Sequence, residues 1–202
     1  MERKAHWEGV YTEKSPSDVS WFQPRPALSL ELIEACSLGR AEAIIDIGGG
    51  ASLLVDHLLD RGHGQVSVLD ISAAGLAASR QRLGERAPSV CWLEADITDV
   101  ALAPQRLWHD RAVFHFLTDP VDRQKYVQTL LATLESGGHA VIATFAEDGP
   151  ERCSGLPIVR YSPESLAQTL GKELELVKVR REAHQTPAGR AQSFVYCLFR
   201  RS

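Results

Sequence analysis

The sequence predicts a doubly wound α/β fold, with a mostly parallel, seven-stranded sheet that ends in a C-terminal antiparallel hairpin. Short apolar runs alternate with helix-like stretches from about residue 27 onward, a pattern typical of strand–helix–strand units and a parallel sheet. The C-terminal part instead holds two strand-like runs, 174–180 and 193–199, joined by a polar stretch with Pro and Gly. Because right-handed crossovers bring the carboxyl ends of parallel strands to one edge, we expect ligands to bind there.

The strands before the hairpin are predicted from short apolar runs that are bounded by Gly, Asp or Pro. They cover residues 43–47, 65–69, 90–93, 107–109 and 139–144. Helices are predicted at residues 28–36, 53–61, 73–83 and 122–134. In the last of these, the apolar residues recur at the period of a helix.

Length and charge limit the possible classes of protein and partner. The chain has 202 residues, of which 44% are hydrophobic and 24% charged, as is typical of one globular domain. Its net charge is -4 and it has no long basic run, so we expect no nucleic-acid partner. The sequence shows neither a signal-peptide core nor a stretch of membrane-span length, which predicts a soluble, cytoplasmic protein without a membrane partner.

The four cysteines lie far apart and form no Cys-x-x-Cys pair, so we expect no metal site. Cys91 and Cys197 lie inside apolar runs and are predicted to be reduced core residues. Cys153 lies in a polar loop with Gly and Pro, which favours a surface position, either as a reactive thiol or as an incidental residue.

The first 26 residues differ from the rest of the chain. Trp7, Tyr11, Trp21 and Phe22 stand there among polar residues and prolines. We expect residues 1–26 to form an aromatic lid or lead-in, and residues 27–202 to form a single domain. The alternative is that these aromatic side chains only cover the core.

A glycine-rich turn follows the first predicted strand, in the run Asp46-Ile47-Gly48-Gly49-Gly50. Glycines let a backbone turn tightly and approach a ligand closely, and the helix that follows offers unpaired N–H groups. A tight structural turn without a ligand would show the same residues. If Gly48 and Gly50 are the first two glycines of G-x-G-x-x-G, the third position is Leu53, which argues against a pyrophosphate-binding turn.

Two acidic residues follow the next two strands. Asp70 ends the second strand, where a carboxylate can accept both hydroxyls of a ribose. Asp96 and Ile97 follow the third strand, where they offer a carboxylate for an adenine amino group and an apolar face for the ring. Either acid alone could be a helix cap or a solvated loop residue, but their joint placement at consecutive strand ends indicates a nucleoside site.

The pattern Asp46-x-Gly48-x-Gly50 resembles the first motif of class I S-adenosylmethionine methyltransferases, and Asp70 and Asp96 resemble their ribose- and adenine-binding acids. The resemblance covers residues 28–199, with Ser52 where many members carry a further glycine. It implies a Rossmann-like fold, methyltransferase activity and S-adenosylmethionine as the cofactor. The residues that it implies for cofactor binding are Asp46, Gly48, Gly50, Asp70, Ile71, Asp96, Ile97 and His109.

The segment after the fourth strand, residues 107–117, resembles the part of the thiopurine methyltransferase family that passes beneath the cofactor sulfonium. Gly149-Pro150 and the aromatic lead-in also resemble that family. On this basis the predicted catalytic residues are His109, Asp110 and Arg111. The predicted substrate-binding residues are Trp21, Phe22, Trp108, Phe114 and His115. Asp110 and Arg111 could instead form a structural ion pair, and His115 could be a packing residue.

We expect the methyl acceptor to be a small molecule with a soft nucleophile such as a thiol. The sequence lacks the Asn-Pro-Pro-aromatic signature of many amine-methylating enzymes, and Arg111 would favour a thiolate. The lead-in also resembles that of some protein-lysine methyltransferases, so a lysine of a partner protein, held by Asp110, is the alternative. Two further possibilities are a non-catalytic nucleotide-binding protein and an NAD-dependent reductase. The absence of a Tyr-x-x-x-Lys pair from the sequence argues against the reductase.

Overall fold

Seven strands form one sheet in the computed structural model, which describes residues 2–202. In chain order the strands are β1 Ile44–Ile47, β2 Val66–Asp70, β3 Val90–Glu94, β4 Gln105–Arg111, β5 Leu134–Phe145, β6 Arg152–Cys153, β7 Leu156–Pro157, β8 Leu174–Gln185 and β9 Ala191–Arg201. The order across the sheet is β3-β2-β1-β4-β5-β9-β8, and β6 and β7 form a separate small hairpin.

The pairing of the strands confirms the predicted fold class. Strands β1 to β5 run parallel to one another, and β9 runs antiparallel to both β5 and β8. β1 lies at the centre of the parallel part, where Ile44 pairs with Val66 on one side and with Leu107 on the other. The carboxyl ends of β1, β2 and β4 therefore meet at one edge of the sheet. The small β6–β7 hairpin was not predicted.

Residues 2–202 contain six α-helices: α1 Glu2–Glu13, α2 Ala27–Ala35, α3 Leu54–Asp60, α4 Ala73–Leu83, α5 Pro120–Thr133 and α6 Pro163–Leu170. Side chains of α2, α3 and α4 contribute to one buried core, and those of α5 and α6 to a second. The start of α5 follows from its sequence, because Asp119 caps the helix and Pro120 occupies its first position. Within residues 2–202, no helix combines the length and the apolar character that a membrane span needs.

Helix α1 was not predicted, because its sequence is mostly polar and lacks a continuous apolar face. It is held both by aromatic contacts of Trp7 and Tyr11 and by charged residues. The Glu8 carboxylate accepts hydrogen bonds from the N–H groups of Ala73 and Ala74, at 2.7 and 3.0 Å, and from Ser72 Oγ at 3.0 Å. These donors form the amino end of α4, where unpaired N–H groups and the helix dipole favour a negative charge. Residues 2–13 of the lead-in are therefore a docked helix.

The cysteines occupy positions that differ in part from the prediction. Cys197 is buried, as expected, but Cys91 is exposed. The prediction for Cys91 was wrong: β3 is an edge strand of the sheet, and its side chains are less covered than those of the central strands. Cys153, which was predicted to lie at the surface, is buried, and its exposed fraction is 4%.

A buried hydrogen-bond network joins β4 to α5. Trp108 Nε1 donates to Tyr126 Oη at 2.8 Å, and Tyr126 Oη donates to Asp110 Oδ2 at 2.6 Å. All three side chains are fully buried. Because a buried polar group that loses its partner costs more than the hydrogen bond gained, each member of this network depends on the others.

We expect Tyr126→Phe to reduce the free energy of unfolding by about 1–3 kcal/mol, because Trp108 loses its acceptor and Asp110 a donor. Tyr161→Phe is a matched control, because the Tyr161 hydroxyl is buried and has no hydrogen-bond partner among the described residues. Its loss should change stability by less than about 0.5 kcal/mol. Urea unfolding measures both, and equal losses in the two variants would contradict the role of the network.

Candidate active site

A cavity lies at the carboxyl ends of β1, β2 and β4, beneath helix α1. Seven of the residues that were predicted from the sequence line it: Trp21, Gly48, Asp70, Ile71, Asp96, Ile97 and Arg111. The lining also includes Trp7 and Tyr11 of the aromatic lead-in, together with Phe116 and Cys153. β1 has β2 on one side and β4 on the other, so the strand order reverses at β1. Ligands of open α/β sheets bind at such a point, and the cavity lies there.

The glycine turn after β1 requires residues without a side chain. Gly48 and Gly50 have φ angles of 66° and 32°, in the left-handed region. A Cβ atom on Gly50 would lie 2.5 Å from Tyr11 Oη and 2.7 Å from Asp70 Oδ2. The turn therefore brings α1 and the end of β2 close to the same backbone atoms.

Asp70 is an unusual carboxyl group, because its exposed fraction is only 5%. Burial raises its pKa to about 7, and the nearby charge of Asp46 adds to the rise. The N–H of Ser72 donates to Oδ1 at 2.8 Å, which opposes the rise. A ligand with hydroxyl donors would stabilise the ionised form of this group.

Asp96 is held from two sides. Its Oδ1 accepts hydrogen bonds from the N–H and the hydroxyl of Thr98, at 2.9 and 2.7 Å. Its Oδ2 lies 3.6 Å from Arg3 of α1, which also pairs with Asp122 at 2.6 Å. The neighbouring Ile97 is buried and contributes apolar surface to the cavity.

His109 links Asp46 to helix α2. Its Nδ1 lies 2.7 Å from Asp46 Oδ1 and its Nε2 lies 2.8 Å from Ser29 Oγ, with the ring almost fully buried. His109 and Phe22 line a second cavity. Trp21 and Arg111 also line this second cavity. Because both ring nitrogens already have partners, the expectation that His109 is catalytic is corrected: it positions Asp46.

Four predicted acceptor residues lie outside the cavity lining: Trp108, Asp110, Phe114 and His115. The reason for two of them is the alternation of side chains along β4. Trp108 and Asp110 face the α5 side, whereas His109 and Arg111 face the α2 side. Asp110 and Arg111 therefore cannot form the ion pair that was considered, and Asp110 is not available to an acceptor.

The side chains of Asp110, Phe114 and His115 have structural partners. Asp110 accepts hydrogen bonds from the N–H groups of Val113 and Phe114 as well as from Tyr126, and burial raises its pKa to about 6. Phe114 packs against Tyr126 in the core. His115 accepts from the N–H of Phe145, and burial lowers its pKa to about 3, so it is neutral. These placements correct the predicted catalytic and substrate-binding roles.

The aromatic wall of the cavity is formed by Trp7, Trp21 and Phe116 instead. The Trp7 ring lies 5.6 Å from Trp21 and 5.0 Å from Phe116, in edge-to-face contacts. Trp7 belongs to α1, and Phe116 follows the turn at Ala112, whose φ of 66° redirects the chain after β4. The aromatic lead-in was the sequence signal for Trp7 and Trp21, whereas nothing in the sequence singled out Phe116.

Arg111 lies at the junction of the two cavities. Its Nε donates to Tyr196 Oη at 2.7 Å and its Nη1 donates to the Trp21 carbonyl at 3.0 Å. Its guanidinium also stacks on Phe194, 4.5 Å from the ring centre. Cys153 lines the cavity nearby, but burial raises its pKa to about 11, so the thiol is protonated and the predicted reactivity is corrected.

The comparison with protein families matches residues 44–138 to a model described as a methyltransferase domain. This stretch contains the glycine turn, Asp70, Asp96 and all of β4. The chain carries a methyltransferase domain, and it is an enzyme. No curated protein gives a significant match to it.

Solved structures share the fold of this methyltransferase domain at low sequence identity. One concerns the conversion of a disulfide bond into a thioacetal group during echinomycin biosynthesis; it is 18% identical, with a TM-score of 0.79 over 98% of this chain and 93% of the other. The N-methyltransferase NodS from Bradyrhizobium japonicum, in complex with S-adenosylhomocysteine, is 17% identical, with a TM-score of 0.73 over 96% and 97%. A Burkholderia thailandensis 1,6-didemethyltoxoflavin-N1-methyltransferase is 20% identical, with a TM-score of 0.70 over 100% and 84%.

We expect the affinity for S-adenosylhomocysteine to rise about tenfold between pH 6 and pH 8, because ribose hydroxyls donate to ionised Asp70 and its raised pKa leaves it mostly protonated at the lower pH. Calorimetry in buffers of different ionisation enthalpy should show a proton released on binding. Asp70→Asn should bind more weakly and without this pH dependence. The same rise in the variant would assign the titration to another group.

We expect Glu8→Gln to raise the rate of tryptic cleavage after Lys14 by about tenfold, because the charged cap on α4 is weakened and α1 opens more often. S-adenosylhomocysteine should slow this cleavage in the unmodified enzyme. Glu13→Gln is the matched control, since Glu13 is exposed in the same helix and has no role in the cap. Equal cleavage of the two variants would show that Glu8 does not hold α1.

Proposed function

We propose that this enzyme transfers the methyl group of S-adenosylmethionine to a small molecule with a soft nucleophile, a thiol in particular. One observation carries the proposal: the cavity beneath α1 joins an end that contains Asp70 and Asp96 to an aromatic end that contains Trp21 and Arg111. The first end suits a nucleoside, and the second suits a small acceptor shielded from water.

The residues of the acidic end fit the cofactor. S-adenosylmethionine supplies a methyl group that is already activated as a sulfonium. Gly48 lines the cavity without a side chain, Asp70 would accept the ribose hydroxyls, and Asp96 would accept from the adenine amino group. Ile71 and Ile97 provide apolar surface for the adenine ring.

The enzyme needs mainly to position and desolvate a thiol acceptor. A thiol is partly ionised near neutral pH, so its proton can pass to water before the reaction. The thiolate sulfur then forms a bond to the methyl carbon as the bond from that carbon to the sulfonium breaks, which gives a thioether and S-adenosylhomocysteine. Trp7, Trp21 and Phe116 would hold the acceptor in line and exclude water. A dedicated base is unnecessary, which agrees with the structural partners of His109, Asp110 and His115.

A protein-lysine acceptor is less consistent with this cavity. A lysine would require a carboxylate to hold its ammonium group and a group to remove a proton. Asp110 was the candidate for the first task, and it is sealed in the core. The structural neighbours do not decide between acceptors, because one concerns sulfur chemistry and the other two are N-methyltransferases.

Incubation with methyl-labelled cofactor tests the proposal. We expect labelled thioethers from small thiols, selenoethers from selenols and methanethiol from sulfide, because the proposed aromatic pocket suits small soft nucleophiles. We expect no discrete labelled protein from cell lysate. Tyr126 and Trp108 should not affect acceptor choice, so Tyr126→Phe serves as the folded control at a temperature where it is stable. If no thiol is methylated and one protein band is strongly labelled, the result would support the lysine alternative instead.

A further inference from the structure

Arg111 has hydrogen-bonding capacity that the chain does not use. Its Nη2 has no hydrogen-bond partner among the described residues, although only 9% of the side chain is exposed. Glu182 Oε2 forms an ion pair with Nη2 at 3.5 Å, but the two atoms make no hydrogen bond. A buried donor without an acceptor costs about 1–3 kcal/mol, so this N–H group favours a ligand that can accept from it.

The other contacts of Arg111 hold the guanidinium in place. Tyr196 Oη accepts a hydrogen bond from Nε, and the Trp21 carbonyl oxygen accepts one from Nη1. The guanidinium also stacks on the ring of Phe194. Glu182 is itself engaged, because it accepts from Tyr196 Oη and from Gln23 Nε2, both at 2.8 Å. Arg111 is therefore fixed by its surroundings, and Nη2, which makes no hydrogen bond with the described residues, belongs to a residue that lines the cavity.

The reacting sulfur is a poor partner for this cation. In the transfer a negative thiolate and a positive sulfonium become two neutral thioethers, so the charge on the acceptor sulfur decreases toward the transition state. A cation bound to that sulfur would stabilise the ground state more than the transition state and would slow the reaction. Arg111 is better suited to a group whose charge stays constant during the reaction.

We propose that Arg111 binds a carboxylate of the acceptor that is not itself methylated, so that the acceptor is a thiol that also carries a carboxylate. This inference rests on the proposed function for the identity of the nucleophile. A carboxylate oxygen would accept from Nη2 and satisfy it with a charge-assisted hydrogen bond. A phosphate dianion would fit less well, because Glu182 lies close to the same nitrogen.

The test compares matched acceptors that differ only in charge. With mercaptopropionate and its amide, kcat/KM for the acid should exceed that for the amide by at least about tenfold, through KM rather than kcat. In Arg111→Gln the ratio of kcat/KM for the acid to kcat/KM for the amide should fall to near one, while the affinity for S-adenosylhomocysteine is kept. Arg181→Gln is the control, because Arg181 is exposed in the same sheet and pairs with Asp148 away from the cavity.

A binding measurement separates this inference from the proposed function. Benzoate should bind the complex with S-adenosylhomocysteine at least about tenfold more tightly than benzamide, and Arg111→Gln should remove that difference. If no thiol is methylated but benzoate still binds more tightly than benzamide, the thiol proposal is overturned and the role of Arg111 is kept. Equal binding of acid and amide by the unmodified enzyme, or a preference that persists in Arg111→Gln, would overturn the inference.

Discussion

The contact between Glu8 and the amino end of α4 is the interaction on which the candidate site depends. It joins residues 64 to 66 positions apart, and it is the point where α1 meets the sheet edge beside Asp70. Tyr11 lies one helical turn further on, over the glycine turn, and Trp7 faces Trp21 and Phe116. This contact helps to hold α1 over the carboxyl edge of the sheet, where the helix covers the cavity.

The second constraint is the direction of successive side chains at the end of β4. Four consecutive residues divide between the two faces of the sheet, so Trp108 and Asp110 stabilise the packing of α5 while His109 and Arg111 reach the cavities. One short segment thus supplies both the support of the site and part of its wall. A functional motif predicted as a run of consecutive residues therefore includes both residues that support the site and residues that line it.

Much of the fold was predictable because it depends on local patterns. Alternating strands and helices predicted the parallel sheet. The glycines and acids at strand ends predicted residues that share one cavity, since Gly48, Asp70 and Asp96 all line it. Helix α1 was not predictable from its pattern, since it has no continuous apolar face and is held by scattered charged and aromatic residues whose partners lie elsewhere in the chain. The acceptor residues were misplaced because the turn at Ala112 and the face of each β4 side chain are consequences of tertiary packing.

The ionic character of the contacts at α1 affects how ligands leave the cavity. Besides Glu8, this helix is held by Lys4 on Glu94 and by Arg3 on Asp96 and Asp122, all at partly exposed positions. Dissolved salt screens such pairs, whereas it has little effect on the buried cores beneath them. If α1 closes the proposed cofactor site, higher ionic strength should accelerate product release and leave the methyl-transfer step unchanged. When release limits the rate, the turnover of the enzyme therefore increases with salt.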